Sequence, residues 1–203
     1  SSMIELPRLF RLTQIFDTTT LADVATATRL ALTGLPVTEF IRPGMNVAIG
    51  AGSRGIANYD IIVRTVCEEL KQLGAKVFIV PAMGSHGGGT AEGQTKVLAH
   101  YGVTESAVGC PIVSSLDVVS LGHTPEGIQT FLDRTAAESD GVFLINRVKW
   151  HTTFEAPVES GLVKMAASSC NTFLGISFHR RRAPCASGSG GFSVLLPCEG
   201  CVS

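Results

Sequence analysis

The stretch VAIGAGSRGIANYD, residues 47 to 60, constrains the fold more than any other feature of the chain. An apolar run enters Gly50-x-Gly52-x-x-Gly55 and leaves it as a helix over residues 59–73, with Ile62, Val66, Leu70 and Leu73 at helical spacing. Asn58 stands at the N-cap position and Gly74 stops the helix. A second apolar strand, residues 76–80, follows at once and ends at Pro81. Strand, helix, strand in this order builds a parallel sheet, because parallel neighbours need a long crossover and the helix supplies it.

The pattern continues on both sides. Residues 20–33 read as a helix that ends before Gly34 and Pro36. After the loop MGSHGGGT, Thr90 caps a helix over 91–100, which Gly102 closes. Short strands are expected at 117–121, 128–132 and 141–145, with a helical turn at 133–139. The fold class is α/β, a Rossmann-like sandwich with a mainly parallel sheet. Residues 8–165 form this domain. Residues 166–203, rich in serine, glycine, cysteine and arginine, lack periodicity and are expected to be a poorly ordered or frame-shifted tail.

Charge narrows the partners. The 203 residues carry 16 basic and 17 acidic side chains without a long block of one sign, so neither nucleic acid nor an anionic membrane has an electrostatic footprint to meet. No apolar run is long enough for a membrane span and no secretory leader is evident, which predicts a soluble cytoplasmic protein. Cys67 and Cys110 lie in the body while the other four cysteines lie at or beyond Cys170, which is no disulfide framework for a core. Cys198-x-x-Cys201 lacks the second pair that a zinc site needs.

The glycine turn has two competing readings. A dinucleotide turn requires an acidic residue at the end of the second strand to hold the ribose, and VFIVPAMG offers none. Arg54 instead places a guanidinium at the mouth of the sheet, where its planar fork suits a carboxylate or phosphate. Alternatively, the glycines only let a strand turn into a helix and Arg54 is a solvated surface residue. A non-catalytic anion-binding α/β module is the corresponding alternative function.

Two further loops follow strands and so face the same crevice, since open parallel sheets bind ligands beyond the carboxyl ends of their strands. One carries His86 among Gly84, Gly87, Gly88 and Gly89. The other, NRVKWHTTFEAPVESGLVKM, supplies Lys149, His151, Glu159 and Lys164. Two histidines on opposite sides of a substrate can exchange protons at either face, although each alone also reads as a solvated loop residue. Lys164, in the apolar SGLVKMAA, either snorkels to solvent or is a covalently reactive amine. His100 reads as a cation at a helix end and His123 as a turn residue.

Taken together, GSRGIANYDIIVRTV, PAMGSHGGGTAEGQ, GHTPEG and NRVKWHTTFEAPVESGLVKM resemble the N-terminal domain of the nickel-dependent lactate racemase family. The resemblance implies a nickel-pincer cofactor, pyridinium-3,5-bisthiocarboxylic acid mononucleotide, loaded by cofactor-maturation enzymes. It also implies racemisation or epimerisation of a small 2-hydroxy acid by proton-coupled hydride transfer. By position, Arg54 would hold the substrate carboxylate, His86 and His151 would be the acid/base pair, Lys164 would tether the cofactor and His179 would ligate nickel. The chain departs from the family pattern at Trp150 and Thr153, where VKWHTTF replaces VKPHTDF, and the family's second domain is expected to be absent from these residues.

Overall fold

The computed structural model describes residues 11–13, 15, 20–53, 55–123, 127, 129–147 and 191–197, the last seven and residues 130 and 147 by backbone alone. Its main sheet has the order β2-β1-β5-β6. Strand β1 (Asn46–Ala51) lies at the centre, parallel to β2 (Lys76–Pro81) on one side and to β5 (Gly141–Arg147) on the other. Helix α3 (Tyr59–Gln72) is the crossover from β1 to β2. Strand β6 (Gly191–Pro197) extends the sheet antiparallel to β5. It comes from the segment expected to be tail, where GFSVLLP has the apolar, β-branched character that an added strand needs. Residues 166–190 and 198–203 lie outside the described residues.

Alternation along the strands divides the core in two. Val47, Ile49 and Ala51 of β1, Val77 and Ile79 of β2, and Phe143 and Ile145 of β5 face one way. They pack beneath α1 (Val24–Thr33), α3, α4 (Ala91–His100) and the short α5 (Glu105–Val108), through Leu32, Tyr59, Val63, Val66, Leu70, Leu98 and Val108. Ala48, Val80, Val142 and Leu144 face the other way, against Leu132 and Ala136. Strand β1 is therefore covered on both faces, which is why it reads as an unbroken apolar run rather than an alternation. Each fully buried Val, Ile or Leu here contributes roughly 1.5–3 kcal/mol relative to exposure.

The second face is covered by a hairpin, not by a helix of a βαβ unit. Strands β3 (Val118–His123) and β4 (Gln129–Asp133) pair antiparallel in a separate two-stranded sheet, followed by α6 (Arg134–Ala137). Only residues 124–128 connect them, too short a link for a parallel crossover. His123, expected in a turn, is the last residue of β3 and pairs with Gln129.

Local capping explains most helix starts. The Asp23 carboxylate accepts from the Thr26 amide at 2.9 Å and begins α1, and Thr90 Oγ1 accepts from the Gly93 amide at 3.0 Å and begins α4. Asn58 does not cap α3 with its side chain. It holds a left-handed backbone (φ 55) that ends the glycine turn, a conformation asparagine tolerates better than most residues. Arg29 joins α1 to α3 through Glu68 at 3.3 Å and Glu69 at 2.9 Å. These groups are largely exposed, so the pairs fix orientation more than they stabilise. Among the described residues, no helix is long and apolar enough to cross a membrane.

Candidate functional site

Three strand ends set the site. In the registers of the sheet, Ala51 at the end of β1 lies opposite both Pro81 of β2 and Ile145 of β5. The chain leaving β1 therefore passes between the ends of its neighbours. The Ala82 amide donates to the Ala51 carbonyl at 2.8 Å, and the Gly52 amide approaches the Ile145 carbonyl at 3.4 Å. Asn146, the next residue of β5, packs over Gly52 so closely that a Cβ there would lie 2.9 Å from its Oδ1. Packing against β5 thus gives Gly52 a reason to be glycine without any nucleotide.

The loop after β2 carries His86 back over this junction. Its first residues, Ala82 and Met83, are buried, and the chain then rises through positive φ at Gly84, Gly87, Gly88 and Gly89. Contacts with the first turn of α4 hold it down. The buried Gln94 donates through Nε2 to the Gly84 carbonyl at 2.8 Å, and Thr90 Oγ1 donates to the Gly87 carbonyl at 3.2 Å. Gly93 in α4 lies directly against Gly87, with room for no side chain: a Cβ at Gly93 would sit 1.8 Å from the Gly87 oxygen. His86 is thereby presented at the mouth of the sheet, exposed to solvent.

There its Nδ1 shares a hydrogen bond with the Ser53 hydroxyl from the β1 loop. The bond joins the loops after two adjacent parallel strands and orients the imidazole. With Nδ1 so engaged, Nε2 is the nitrogen able to exchange a proton with a ligand in the crevice. Sequence reading singled out Arg54 in this turn and passed over Ser53, because a serine between glycines carries only a turn signal. Asn146 and Gln94 were missed because their roles depend on partners distant in sequence.

Tyr59 lies at the start of α3, below the glycine turn, and is only 1% exposed. Burial pushes its phenol well above the usual range, so it remains protonated; the nearby Gly52 amide opposes this weakly. The Gly52 amide lies beside the hydroxyl without reaching hydrogen-bond geometry, and no other described residue bonds it. Removing an unpaired buried hydroxyl costs little, so Tyr59→Phe should keep unfolding stability in urea within about 1 kcal/mol of the parent. A loss of roughly 2 kcal/mol or more would mean that the hydroxyl is bonded in solution.

His100 occupies the last turn of α4, as expected, with its ring edge-to-face against Tyr101 at 5.4 Å. Arg54, Lys149, His151, Glu159, Lys164 and His179 lie outside the described residues, as do Trp150 and Thr153. A groove of about 280 Å³ between α1 and α3, lined by Leu32, Val37, Leu70 and Leu73, lies beside the C-terminal half of α3. That is the opposite end of the sheet from Ser53 and His86.

A mainly parallel sheet with helices on one face and a hairpin on the other, its glycine-lined strand ends presenting a histidine, defines the class: a Rossmann-like α/β domain. Residues 17–155 match the family model described as the lactate racemase N-terminal domain, and the chain belongs to that family. No curated protein matches it.

Proposed function

We propose that the chain supplies the proton-handling half of a 2-hydroxy acid racemase or epimerase. The observation that carries this reading is the Ser53–His86 hydrogen bond at the ends of β1 and β2, within a chain of the lactate racemase family. Arg54, next to Ser53 in sequence, is assigned to the substrate carboxylate, because a bidentate arginine fixes a carboxylate while leaving C2 accessible from both faces. His86 takes the hydroxyl proton through Nε2, and Ser53 keeps the ring in the orientation that exposes this nitrogen. His151 is assigned to the same task from the opposite face, so that the two enantiomers are served by two bases.

The residues present fit a bulky planar cofactor. The support for this is the room along the loop after β2, where a Cβ added at Gly88 or Gly89 would meet open space. The unpaired Tyr59 hydroxyl lies below. Lys164 would hold pyridinium-3,5-bisthiocarboxylic acid mononucleotide covalently, and His179 would bind its nickel, for which imidazole is a suitable ligand. When bound, the group supplies reversible hydride acceptance, a chemistry no side chain provides. The partners assigned are a small 2-hydroxy acid and the cofactor-maturation enzymes, and the compartment assigned is the cytoplasm.

The test is to produce the chain together with cofactor-maturation enzymes and follow one pure enantiomer of lactate by chiral chromatography. Intact mass and nickel content are measured on the same sample. An adduct at Lys164, bound nickel and loss of enantiomeric purity are expected. A chain with adduct and nickel that interconverts no 2-hydroxy acid in a panel differing in chain length would overturn the reaction. A folded chain with no adduct would overturn the cofactor.

A further inference from the structure

Two thiols meet on the side of the sheet covered by helices. Cys67 in α3 is fully buried, and Cys110, just beyond α5, is 2% exposed. Both are free cysteines of one buried cluster, and their thiols lie near enough to influence one another's protonation. Local geometry brings them together. Gly109 ends α5 in the left-handed conformation (φ 69), which turns the chain back toward α3 and aims Cys110 inward. The following segment is then pinned along β2: the Ile79 amide donates to the Pro111 carbonyl and the Val113 amide to the Ile79 carbonyl, each at 2.8 Å. The Glu105 carboxylate accepts from the Ile112 amide at 2.7 Å.

A cation completes the cluster. Lys71, one turn beyond Cys67 on α3, donates to the Gly109 carbonyl, and its ammonium also interacts with Cys110. The neighbouring Cys67 thiol and the Lys71 charge lower the Cys110 thiol, while Cys110 and burial raise Cys67. The lysine bound to the preceding carbonyl sets Cys110, rather than the deeper Cys67, nearer to a positive charge. Gly109 and Pro111, on either side of Cys110, are exposed, so the thiol lies one residue beneath the surface.

We propose that Cys67 and Cys110 are a reversible dithiol–disulfide pair, oxidised by a small disulfide of the glutathione class, with Cys110 attacking first and Cys67 resolving. In the first step the Cys110 thiolate attacks one sulfur of the small disulfide. A mixed disulfide forms, and the other half leaves as a thiolate that takes up a proton. In the second step Cys67 loses its proton and attacks the Cys110 sulfur, forming the internal bond and expelling the second small thiol. Two protein thiols are oxidised and one small disulfide is reduced to two thiols. Excess small thiol reverses both steps. The bond would fasten α3, whose first turn lies below Ser53, to the segment beside β2.

The reduced full chain, exposed to oxidised glutathione, blocked with an alkylating agent and digested, tests this by mass spectrometry. Peptides containing Cys67 and Cys110 should appear joined, lighter by two hydrogens, and should separate on reduction. Mapping by peptide keeps them distinct from Cys170, Cys185, Cys198 and Cys201. In Cys67→Ser the reaction should stop at a glutathione adduct on Cys110, and in Cys110→Ser labelling of Cys67 should slow at least about tenfold. The unsubstituted chain decides the matter even if a variant fails to fold. If its Cys67 and Cys110 remain as free thiols, alkylated only after denaturation, while later cysteines are oxidised, the proposal is overturned.

Discussion

Gly93→Ala is expected to lower the thermal midpoint of the chain by roughly 10 °C, although alanine is the better helix former. In the middle of an exposed helix the change would gain about 1 kcal/mol. Here the new methyl group would lie 1.8 Å from the Gly87 oxygen and 2.7 Å from the Gly87 carbonyl carbon. Neither is a flexible side-chain tip that can swing away. Gly87 itself cannot retreat easily, because its φ of 67 and its contacts with Gly93 and Gln94 place it against the same helix turn. Overpacking of this kind costs about 1–3 kcal/mol or more, and each kcal/mol moves the midpoint by roughly 2–4 °C in a chain of this size. Gly88→Ala is the matched control. Gly88 also has positive φ (70), but nothing lies within 4 Å of an added Cβ, so only the left-handed backbone cost of about 1–2 kcal/mol applies. Circular dichroism melts that rank Gly88→Ala as the more damaging of the two would refute the close-contact account.

His86→Ala in cofactor-loaded protein should slow interconversion of 2-hydroxy acid enantiomers by about 10²–10⁴-fold, the usual contribution of a general acid/base. The side chain is exposed, so its removal should leave the fold and the thermal midpoint nearly unchanged. Ser53→Ala keeps the base and removes only its orienting partner. A smaller loss, on the order of tenfold, is expected there. The two variants separate chemistry from positioning, because Ser53→Asn or Ser53→Thr should restore part of the loss by offering another polar atom to Nδ1. If His86→Ala retains activity within about threefold of the parent, His86 is not the base.

Much of the scaffold was legible because its signals are local. Helix α3 has apolar residues at helical spacing, α4 has Thr90 at its N-cap, and β1 and β2 are short apolar runs bounded by turn residues. Helices α2 (Val37–Phe40) and α5 are a single turn each and show no periodicity from which to read them. The hairpin of β3 and β4 was read as two strands but not as a separate sheet, since pairing is a tertiary fact that short strands leave open. At the site, the sequence singled out His86 through its loop, whereas Ser53 became visible only with the fold. Its partner is 33 residues away, and register rather than spacing brings them together.

The bracket that holds His86 has a further consequence for how such a site can change. Gly87 rests on Gly93 backbone to backbone, and the Gln94 and Thr90 side chains of the same helix turn grip loop carbonyl groups. The histidine's position is therefore inherited from the first turn of α4 together with the glycines that let the loop lie against it. Any change that shifts the first turn of α4 therefore shifts His86 with it, so the loop and the helix can vary only as one unit.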